Sequence, residues 1–195
     1  MIESKAKILT AASELFATAG AGALSVRAIS KRAGLSTIGI YNHFNGKQGI
    51  LDALYIEGFQ MVMSAVQVED ENLAPRAAVL QGLSNYIDLA TEHRGHYELI
   101  FGGGDPNYTP SSAAIAVGEE AFNRLTYFVS RALPDRLSER EKREAALQLW
   151  ALSHGYVSLQ DHEATELIPD TAWRDLMMRA VTTHLDALIA KYADQ

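Results

Sequence analysis

The spacing of apolar residues is the feature that most constrains how this chain folds. Apolar side chains recur at intervals of three and four residues through most of the sequence, and no window alternates cleanly between apolar and polar residues. Intervals of three and four place side chains on one face of an α-helix. The pattern therefore predicts an all-α protein.

Residues that begin and end helices divide the first part of the chain into short segments. Gly20 suits the end of the first helix, because glycine adopts the left-handed conformation that closes a helix. Ser25 and Ser36 are suitable amino-terminal caps for a second and a third short helix, the third running over residues 37–43. Asn45 and Gln48 have the spacing of a capping box, which predicts that a fourth helix begins at Asn45.

Similar signals mark the helices of the later part. Pro75 suits the first turn of a fifth helix, and Gly95 is expected to break the chain before a short helical segment. Ser138 and Glu141 form a second capping box at the start of a long helix. The sequence GGGDP at residues 102–106 predicts an extended loop, and it lacks the Lys-Ser or Lys-Thr of a phosphate-binding loop.

Composition excludes several classes of protein. The chain has no cysteine, which rules out disulfides and zinc–cysteine sites. Its first residues do not resemble a signal peptide, and no uninterrupted apolar run approaches the roughly 20 residues of a membrane span. The sequence therefore predicts a soluble cytoplasmic protein that has no membrane partner. No pattern for a cofactor is present.

Charge is distributed unevenly along the chain. The formal net charge is -7, but residues 1–60 hold six bases and four acids, while the remainder holds 11 bases and 20 acids. Residues 15–51 contain no acid, although an even spread would place four or five there. Because carboxylates repel the phosphates of DNA, an acid-free segment in an acidic protein indicates a surface that meets a polyanion.

Two short helices joined by a glycine-containing turn describe a helix-turn-helix, whose second helix enters the major groove of DNA. Small residues at the start of the third helix allow a close approach to phosphates, and exposed side chains on that helix are expected to read bases. Lys47 is expected in the first turn of the fourth helix, where the positive end of the helix dipole disfavours a lysine. Its position is better explained by a contact with a DNA phosphate. The predicted DNA-binding residues are Ser25, Arg27, Ser36, Thr37, Ile38, Gly39, Tyr41, Asn42, His43 and Lys47. Among these, base reading is assigned to Thr37, Ile38 and Asn42, whereas Tyr41 and His43, near the end of the helix, are expected to hydrogen-bond the DNA backbone without reading sequence.

The run LSVRAISKRAGLSTIGIYNHFNGKQGIL resembles the DNA-binding segment of the TetR family of transcriptional regulators. The features that carry the resemblance are the sequence AGLS at residues 33–36, Tyr41, His43 with Phe44, and Lys47. The resemblance implies a three-helix helix-turn-helix domain at residues 1–48 and a helical effector-binding and dimerisation domain at residues 49–195. It also implies a homodimer that binds a palindromic double-stranded operator.

The chain departs from the family pattern at the groove-facing turn. Ile38 stands where the family commonly has glycine, Gly39 where it has serine or threonine, and Ile40 where it has leucine. Ser30 replaces a usual alanine, and Gly49 replaces a frequent glutamate. Base preferences therefore do not transfer from relatives to this chain.

A second resemblance lies in the carboxy-terminal part. Trp150, His154 and Gly155 look like the Trp…His-Gly signature of one TetR ligand-domain subfamily, which also fits residues 86–90 and 97–101. By this resemblance, the last two long helices form a four-helix dimer interface and the middle helices enclose a small-molecule effector, expected to be hydrophobic or aromatic. The predicted effector-pocket residues are Tyr86, Tyr97, Phe101, Phe122, Tyr127, Trp150 and His154.

Other interpretations remain open from the sequence alone. The aromatic residues are also consistent with ordinary core packing. His93 and His96 have a spacing that a metal could use, but Gly95 lies between them and no third ligand is evident, so no metal site is predicted. A helical enzyme and an interaction module that has lost DNA binding are alternatives, although no set of residues has catalytic spacing.

Overall fold

The computed structural model describes residues 2–68, 70, 72–101, 107–167 and 172–193. Over these residues the chain is helical and forms no strand, which confirms the all-α prediction. The loop predicted at residues 102–106 lies outside the described residues. Short 3-10 helices occupy Ala21–Ala23 and Glu163–Leu167. The α-helices of the described residues are α1 (Ile2–Ala19), α2 (Val26–Ala33), α3 (Thr37–Phe44), α4 (Lys47–Val66), α5 (Pro75–Glu92), α6 (Arg94–Phe101), α7 (Ser112–Ser130), α8 (Glu139–Leu159) and α9 (Trp173–Ala193).

The chain divides into two compact units, each built from two segments. The first unit comprises Met1–Met61 and His93–Glu119, and the second comprises Val62–Glu92 and Glu120–Gln195. Helices α1, α2, α3 and α6 belong to the first unit, whereas α5, α8 and α9 belong to the second. Because the boundaries fall inside α4 and α7, each of these two helices supplies residues to both units.

The core of the first unit is built from the apolar faces of its helices. Full burial of a large aliphatic or aromatic side chain stabilises the fold by roughly 1.5–3 kcal/mol, so this cluster accounts for much of the stability of the unit. The buried side chains of the cluster are Ile8, Ala11, Ala12, Phe16, Leu24, Ile29, Ile40, Phe44, Ile50, Leu51, Leu54 and Leu99.

Gly95 has a different role from the one expected. Helix α6 begins at Arg94 and continues through Gly95, so the predicted break at Gly95 is wrong and the interruption falls at His93 instead. A Cβ atom on Gly95 would lie 3.2 Å from the Cα atom of Ala17 in α1. The missing side chain lets α6 pack closely on α1.

The junction between α3 and α4 also differs from the expectation. Asn45 adopts a left-handed conformation, with φ 55°, and its backbone N–H donates to the Tyr41 carbonyl at 3.0 Å. Asn45 therefore ends α3 and does not open α4, which begins at Lys47. The capping box predicted for Asn45 and Gln48 is wrong, since an amino-terminal cap needs extended backbone and the Gln48 amide instead donates to the Thr109 carbonyl at 2.8 Å.

Gly49 fixes how closely α4 follows α3. A Cβ atom at this position would lie 1.7 Å from the carbonyl oxygen of Phe44, which is far inside contact distance. Gly46, with φ 96°, completes the reversal of the chain just before α4. The glycine that departs from the family pattern at position 49 is thus required by this tight junction.

Helix α4 has the length and mean hydropathy of a membrane span, 1.2 over its most apolar window. Its apolar residues Ile50, Leu51 and Leu54 are nevertheless fully buried in the core of the first unit. Asp52 in the same helix makes hydrogen bonds to Tyr108 and to the backbone of Ser111. These contacts identify the first part of α4 as a core helix of a folded unit.

The second unit is organised by α5, α8 and α9. Two bidentate ion pairs join α5 to α9, one between Arg76 and Asp186 and the other between Asp88 and Arg174. Because the start of α5 pairs with the later part of α9, and the end of α5 with its start, the two helices are antiparallel. Such exposed pairs contribute at most about 1 kcal/mol each, so their main effect is on register.

The start of α8 was predicted correctly. Ser138 Oγ accepts a hydrogen bond from the Glu141 backbone N–H at 3.3 Å, and the Glu141 carboxylate accepts one from the Ser138 N–H at 2.8 Å. This reciprocal pair is the capping box expected from the sequence.

Candidate DNA-binding surface and aromatic cluster

Local hydrogen bonds fix the turn between α2 and α3. Ser25 Oγ accepts from the Ala28 N–H at 3.1 Å, and Ser36 Oγ accepts from the Gly39 N–H at 3.2 Å, so each serine caps the helix that it precedes. Gly34 ends α2 in the left-handed conformation, with φ 66°. The caps at Ser25 and Ser36, and the glycine turn between the two helices, confirm the predicted helix-turn-helix.

Helix α3 has two distinct faces. Ile40 and Phe44 are buried and anchor the helix to the core of the first unit. The opposite side, which we call the outer face, consists of four exposed residues. Ile38 and Tyr41 are the most apolar of them and are 69% and 58% exposed. The members of the outer face are Thr37, Ile38, Tyr41 and Asn42.

The remaining residues predicted to bind DNA surround the outer face in different environments. Gly39 is partly buried and so is His43, whose ring lies 6.4 Å from that of Phe44. Lys47 is partly buried at the start of α4. Arg27 is exposed near the start of α2. The predicted set therefore combines an exposed face on α3 with partly buried residues at its edges.

An acidic residue just before the acid-free segment pairs with one of its bases in the folded unit. Glu14, which precedes the segment, lies 2.7 Å from Arg32 in α2 and pairs with its guanidinium. Arg27 and Lys31 are exposed on the same short helix. The Glu14 carboxylate thus balances the charge of Arg32, and the positive charge that α2 offers to a polyanion comes chiefly from Arg27 and Lys31.

A segment distant in sequence supports α4 beneath this surface. Asp52 Oδ1 accepts hydrogen bonds from the Tyr108 hydroxyl at 2.8 Å and from the Ser111 N–H at 3.0 Å. Gln48, one turn earlier, holds the Thr109 carbonyl. We call residues 108–111 the strap. Because its partners are more than 50 residues away in sequence, no local pattern could have revealed these contacts.

The strap also changes the acidity of its two central side chains. Partial burial would raise the pKa of the Asp52 carboxyl, but the hydrogen bonds from Ser111 and Tyr108 outweigh burial and leave this pKa below its ordinary value. Burial, together with the bond to Asp52, raises the pKa of the Tyr108 phenol well above its usual range. The pair is therefore an ionised carboxylate and a neutral phenol at neutral pH.

Four of the residues predicted for the effector pocket are brought together in the second unit. The Trp150 Nε1 donates to the Tyr86 hydroxyl at 3.2 Å. The Trp150 ring lies 6.1 Å from that of Phe122 and 6.3 Å from that of His154, measured between centroids. Burial lowers the pKa of His154, which favours the neutral imidazole at neutral pH. We call Tyr86, Phe122, Trp150 and His154 the aromatic cluster.

The other three residues predicted for the pocket lie elsewhere. Tyr97 and Phe101, on α6 of the first unit, pack edge to face with ring centroids 4.8 Å apart. The ring of Phe59 in α4 packs edge to face on Phe101 at 5.7 Å. Tyr127, on α7, is 61% exposed and lies beside the ring of Phe128. The sequence-based prediction placed these aromatic residues in one pocket because of their composition and the family resemblance. Neither of these shows in which unit a side chain packs.

A separate small cavity lies in the second unit. Its volume is about 190 Å³, which is below the roughly 300–1,000 Å³ of ordinary small-molecule sites. Its lining is partly charged, because it includes Arg174 and Asp88, which form an ion pair. It contains no member of the aromatic cluster, and its lining residues are Ile87, Asp88, Thr91, Glu92, Gln160, Trp173, Arg174 and Met177.

The two histidines with metal-like spacing take part in other contacts. The His96 ring nitrogen lies 3.4 Å from the Glu57 carboxylate, and this hydrogen bond lowers the pKa of Glu57. The rings of His93 and His96 are edge to face, with centroids 6.4 Å apart. Within the described ranges, no group of three or more His, Asp or Glu side chains is arranged to hold a metal ion.

A capped helix-turn-helix with an acid-free outer face, joined to further long helices, defines a DNA-binding regulator. Comparison with known families agrees with this class. Residues 8–54 match the bacterial regulatory proteins of the tetR family, and residues 79–184, more than half of the chain, match the tetracyclin repressor-like C-terminal domain. The chain therefore belongs to the TetR family and is a transcriptional regulator with a helix-turn-helix DNA-binding domain.

Individual relatives show the same similarity. The chain is 26% identical over 165 residues to YobS of Bacillus subtilis, an uncharacterized HTH-type transcriptional regulator, covering 82% of this chain and 80% of that protein. A tetR-family transcriptional regulator from Streptomyces coelicolor has the same fold, with a TM-score of 0.77, 17% identity, and coverage of 100% and 83% of the two chains. A TetR variant from Acinetobacter baumannii AYE, in complex with minocycline, gives a TM-score of 0.60 at 21% identity, covering 96% and 94%.

We predict that the protein becomes less stable in acid because the Asp52 carboxylate, which binds the strap, becomes protonated. A carboxyl whose pKa is lower in the folded state stabilises the fold above its unfolded pKa, near 3.8, and this contribution is lost as pH falls through the folded pKa. Asp52→Asn should reduce the free energy of unfolding by about 1–2 kcal/mol at pH 7. The reason is that the hydrogen bonds from Tyr108 and Ser111 would then go to a neutral acceptor, and such bonds are weaker than those to a carboxylate. Urea denaturation at pH 7 and at pH 3 measures both quantities.

The matched control is Asp135→Asn, at an exposed position outside the helices. It should leave the denaturation midpoint nearly unchanged at both pH values. The difference between wild type and Asp52→Asn should shrink toward pH 3. An undiminished difference at pH 3 would show that the Asp52 charge has no part in holding the strap.

Proposed function

We propose that this regulator is a homodimeric repressor that binds a palindromic operator and is released by a small hydrophobic or aromatic effector. In this proposal residues 1–48 bind DNA, and residues 49–195 bind the effector and form the dimer. The protein acts in the cytoplasm, where its operator is accessible. Family membership supports the general mechanism, and the assignments to particular residues rest on the arguments below.

The outer face of α3 is the single observation that carries the DNA-binding role of these residues. It presents two large side chains, Ile38 and Tyr41, to solvent, and no carboxylate occurs anywhere in residues 15–51. In a helix-turn-helix, the second helix contacts base edges, while residues around it contact phosphates. Thr37, Ile38 and Asn42 therefore read bases. The phosphate contacts belong to residues at the edges of the outer face, Ser36, His43 and Lys47 among them.

A second copy of the chain is the proposed partner of α8 and α9. Leu147 and Leu159 are 48% and 45% exposed on α8 in the single chain, and Ala151 is exposed between them. The family resemblance assigns these helices to a four-helix interface. A symmetric dimer would present two α3 helices to successive major grooves, whose centres are about 34–36 Å apart along one face of DNA.

The aromatic cluster is the proposed centre of effector recognition. It offers aromatic surfaces from Phe122 and Trp150, and polar groups from Tyr86 and His154. Such a combination suits an apolar or aromatic ligand that carries a few polar groups. The relative that binds minocycline is consistent with a ligand of this kind.

Helix α4 is the proposed route between effector and DNA. Its residues up to Met61 belong to the first unit and those from Val62 to the second, so one continuous helix enters both. A ligand that moves the equilibrium almost completely from the DNA-bound to the released form must favour the latter by about 5.5 kcal/mol.

We predict that Lys47→Ala and Tyr41→Ala weaken DNA binding in different ways. Lys47→Ala should lower affinity for the upstream DNA of the regulator's own gene and reduce the slope of log K against log salt by about 1 per contact, because a phosphate contact is lost. Tyr41→Ala should lower affinity with little change in slope, since the salt slope counts phosphates neutralised by Lys and Arg, and a tyrosine hydrogen bond to the DNA backbone neutralises none. Fluorescence anisotropy over a series of salt concentrations measures affinity and slope together.

Arg131→Ala is the matched control, because it removes one positive charge from an exposed side chain in the turn after α7, outside residues 1–48 and outside α8 and α9. It should leave both affinity and salt slope unchanged. Equal changes in slope for Lys47→Ala and Arg131→Ala would indicate a general charge effect and would contradict the phosphate contact at Lys47.

We predict that Trp150→Phe reduces effector binding without reducing DNA affinity. A panel of planar aromatic compounds that includes minocycline should yield a compound that raises the melting temperature of the wild type and weakens its binding to DNA. Trp150→Phe removes the indole donor to Tyr86, so the apparent Kd for that compound should rise about tenfold, as expected for a net loss near 1.4 kcal/mol. Tyr127→Phe, at an exposed site on α7, should bind it as the wild type does. Unchanged binding to Trp150→Phe would exclude the aromatic cluster as the recognition centre.

A further inference from the structure

Ile38 presents an aliphatic side chain where neither the helix nor the core requires one. It is the second residue of α3 and is 69% exposed, whereas the core contacts of the helix are made by Ile40 and Phe44. A β-branched residue is also a poorer helix former than alanine. Local folding therefore gives no reason for isoleucine at this position.

The position of Ile38 on α3 limits what it contacts when the helix lies in a major groove. Tyr41 and Asn42, three and four residues later, share its side of the helix, and Thr37 precedes it on the first turn. Residues near the start of a recognition helix are the ones that reach base edges. Ile38 is therefore directed at bases, where it has no donor or acceptor to offer.

Only one apolar group is available on the base edges of the major groove. Adenine, guanine and cytosine present donors and acceptors there, whereas thymine adds a C5-methyl group. An aliphatic side chain placed against a donor or acceptor would exclude water without replacing its hydrogen bond, which is unfavourable. Contact with a thymine methyl group avoids this loss and buries apolar surface on both partners.

We propose that Ile38 determines specificity by contacting the C5-methyl group of one thymine in each operator half-site. The inference rests on the proposed function, because it requires α3 to lie in the major groove. It adds the chemical group that the helix recognises. It also gives a reason for a large side chain at position 38, where the TetR family commonly has glycine.

The test replaces thymine by deoxyuridine, which removes the methyl group and keeps the base pair. Operators are first selected from random duplexes with the full-length protein, and each thymine of a half-site is then replaced in turn. Wild type should lose affinity about fourfold at one position per half-site, which corresponds to about 0.8 kcal/mol for one methyl group. Replacement at the other positions should have a smaller effect.

Ile38→Ala should bind the thymine operator more weakly than wild type and should not distinguish it from the deoxyuridine operator at that position. Ile115→Ala removes another exposed isoleucine, on α7, and should retain the fourfold discrimination. Circular dichroism should show the same melting temperature for Ile38→Ala as for wild type, since the side chain is exposed.

The possible failures are distinguishable. If the wild type binds a selected operator but no thymine position is sensitive to deoxyuridine, the methyl contact is wrong and the proposed function stands. Undiminished discrimination by Ile38→Ala overturns the assignment to Ile38 in the same way. If the selection yields no bound duplex, the proposed operator binding fails and the inference fails with it.

Discussion

The close contact between the end of α3 and the start of α4 is the constraint on which the DNA-binding surface depends. Asn45 and Gly46 reverse the chain through left-handed conformations, and Gly49 has no room for a side chain beside the Phe44 carbonyl. This junction fixes α3 against the core through Ile40 and leaves its other side free. The outer face can bind DNA in a defined orientation only if α3 is held in place. A loosely attached α3 would have to be ordered on binding, and the entropy cost of this ordering would weaken its base contacts.

The strap extends this constraint to a part of the chain that is remote in sequence. Gln48 and Asp52, on successive turns of α4, hold the Thr109 carbonyl, the Tyr108 hydroxyl and the Ser111 N–H. Each bond is modest by itself, but together the three bonds tie two turns of α4 to the strap. The first unit is thus a helix-turn-helix reinforced by the residues that precede α7, and the position of α4 depends on both.

Local sequence signals predicted much of the fold and less of the site. The caps at Ser25, Ser36 and Ser138 depend on residues three apart, and for this reason they could be read directly. The signal at Asn45 was ambiguous, because asparagine both caps helices and adopts the left-handed conformation that ends them. The strap and the division of aromatic residues between two units depend on tertiary packing, which no local pattern encodes. The outer face followed from the combination of periodicity and the missing acids.

The central claim is that the outer face of α3 meets DNA. Its most direct test is photo-crosslinking with p-benzoylphenylalanine placed at Tyr41 or at Tyr127, which are similarly exposed at 58% and 61%. With DNA from upstream of the regulator's own gene, the probe at position 41 should crosslink to the duplex and the probe at position 127 should not. Crosslinking from position 127 alone, in protein that binds the DNA, would contradict the account.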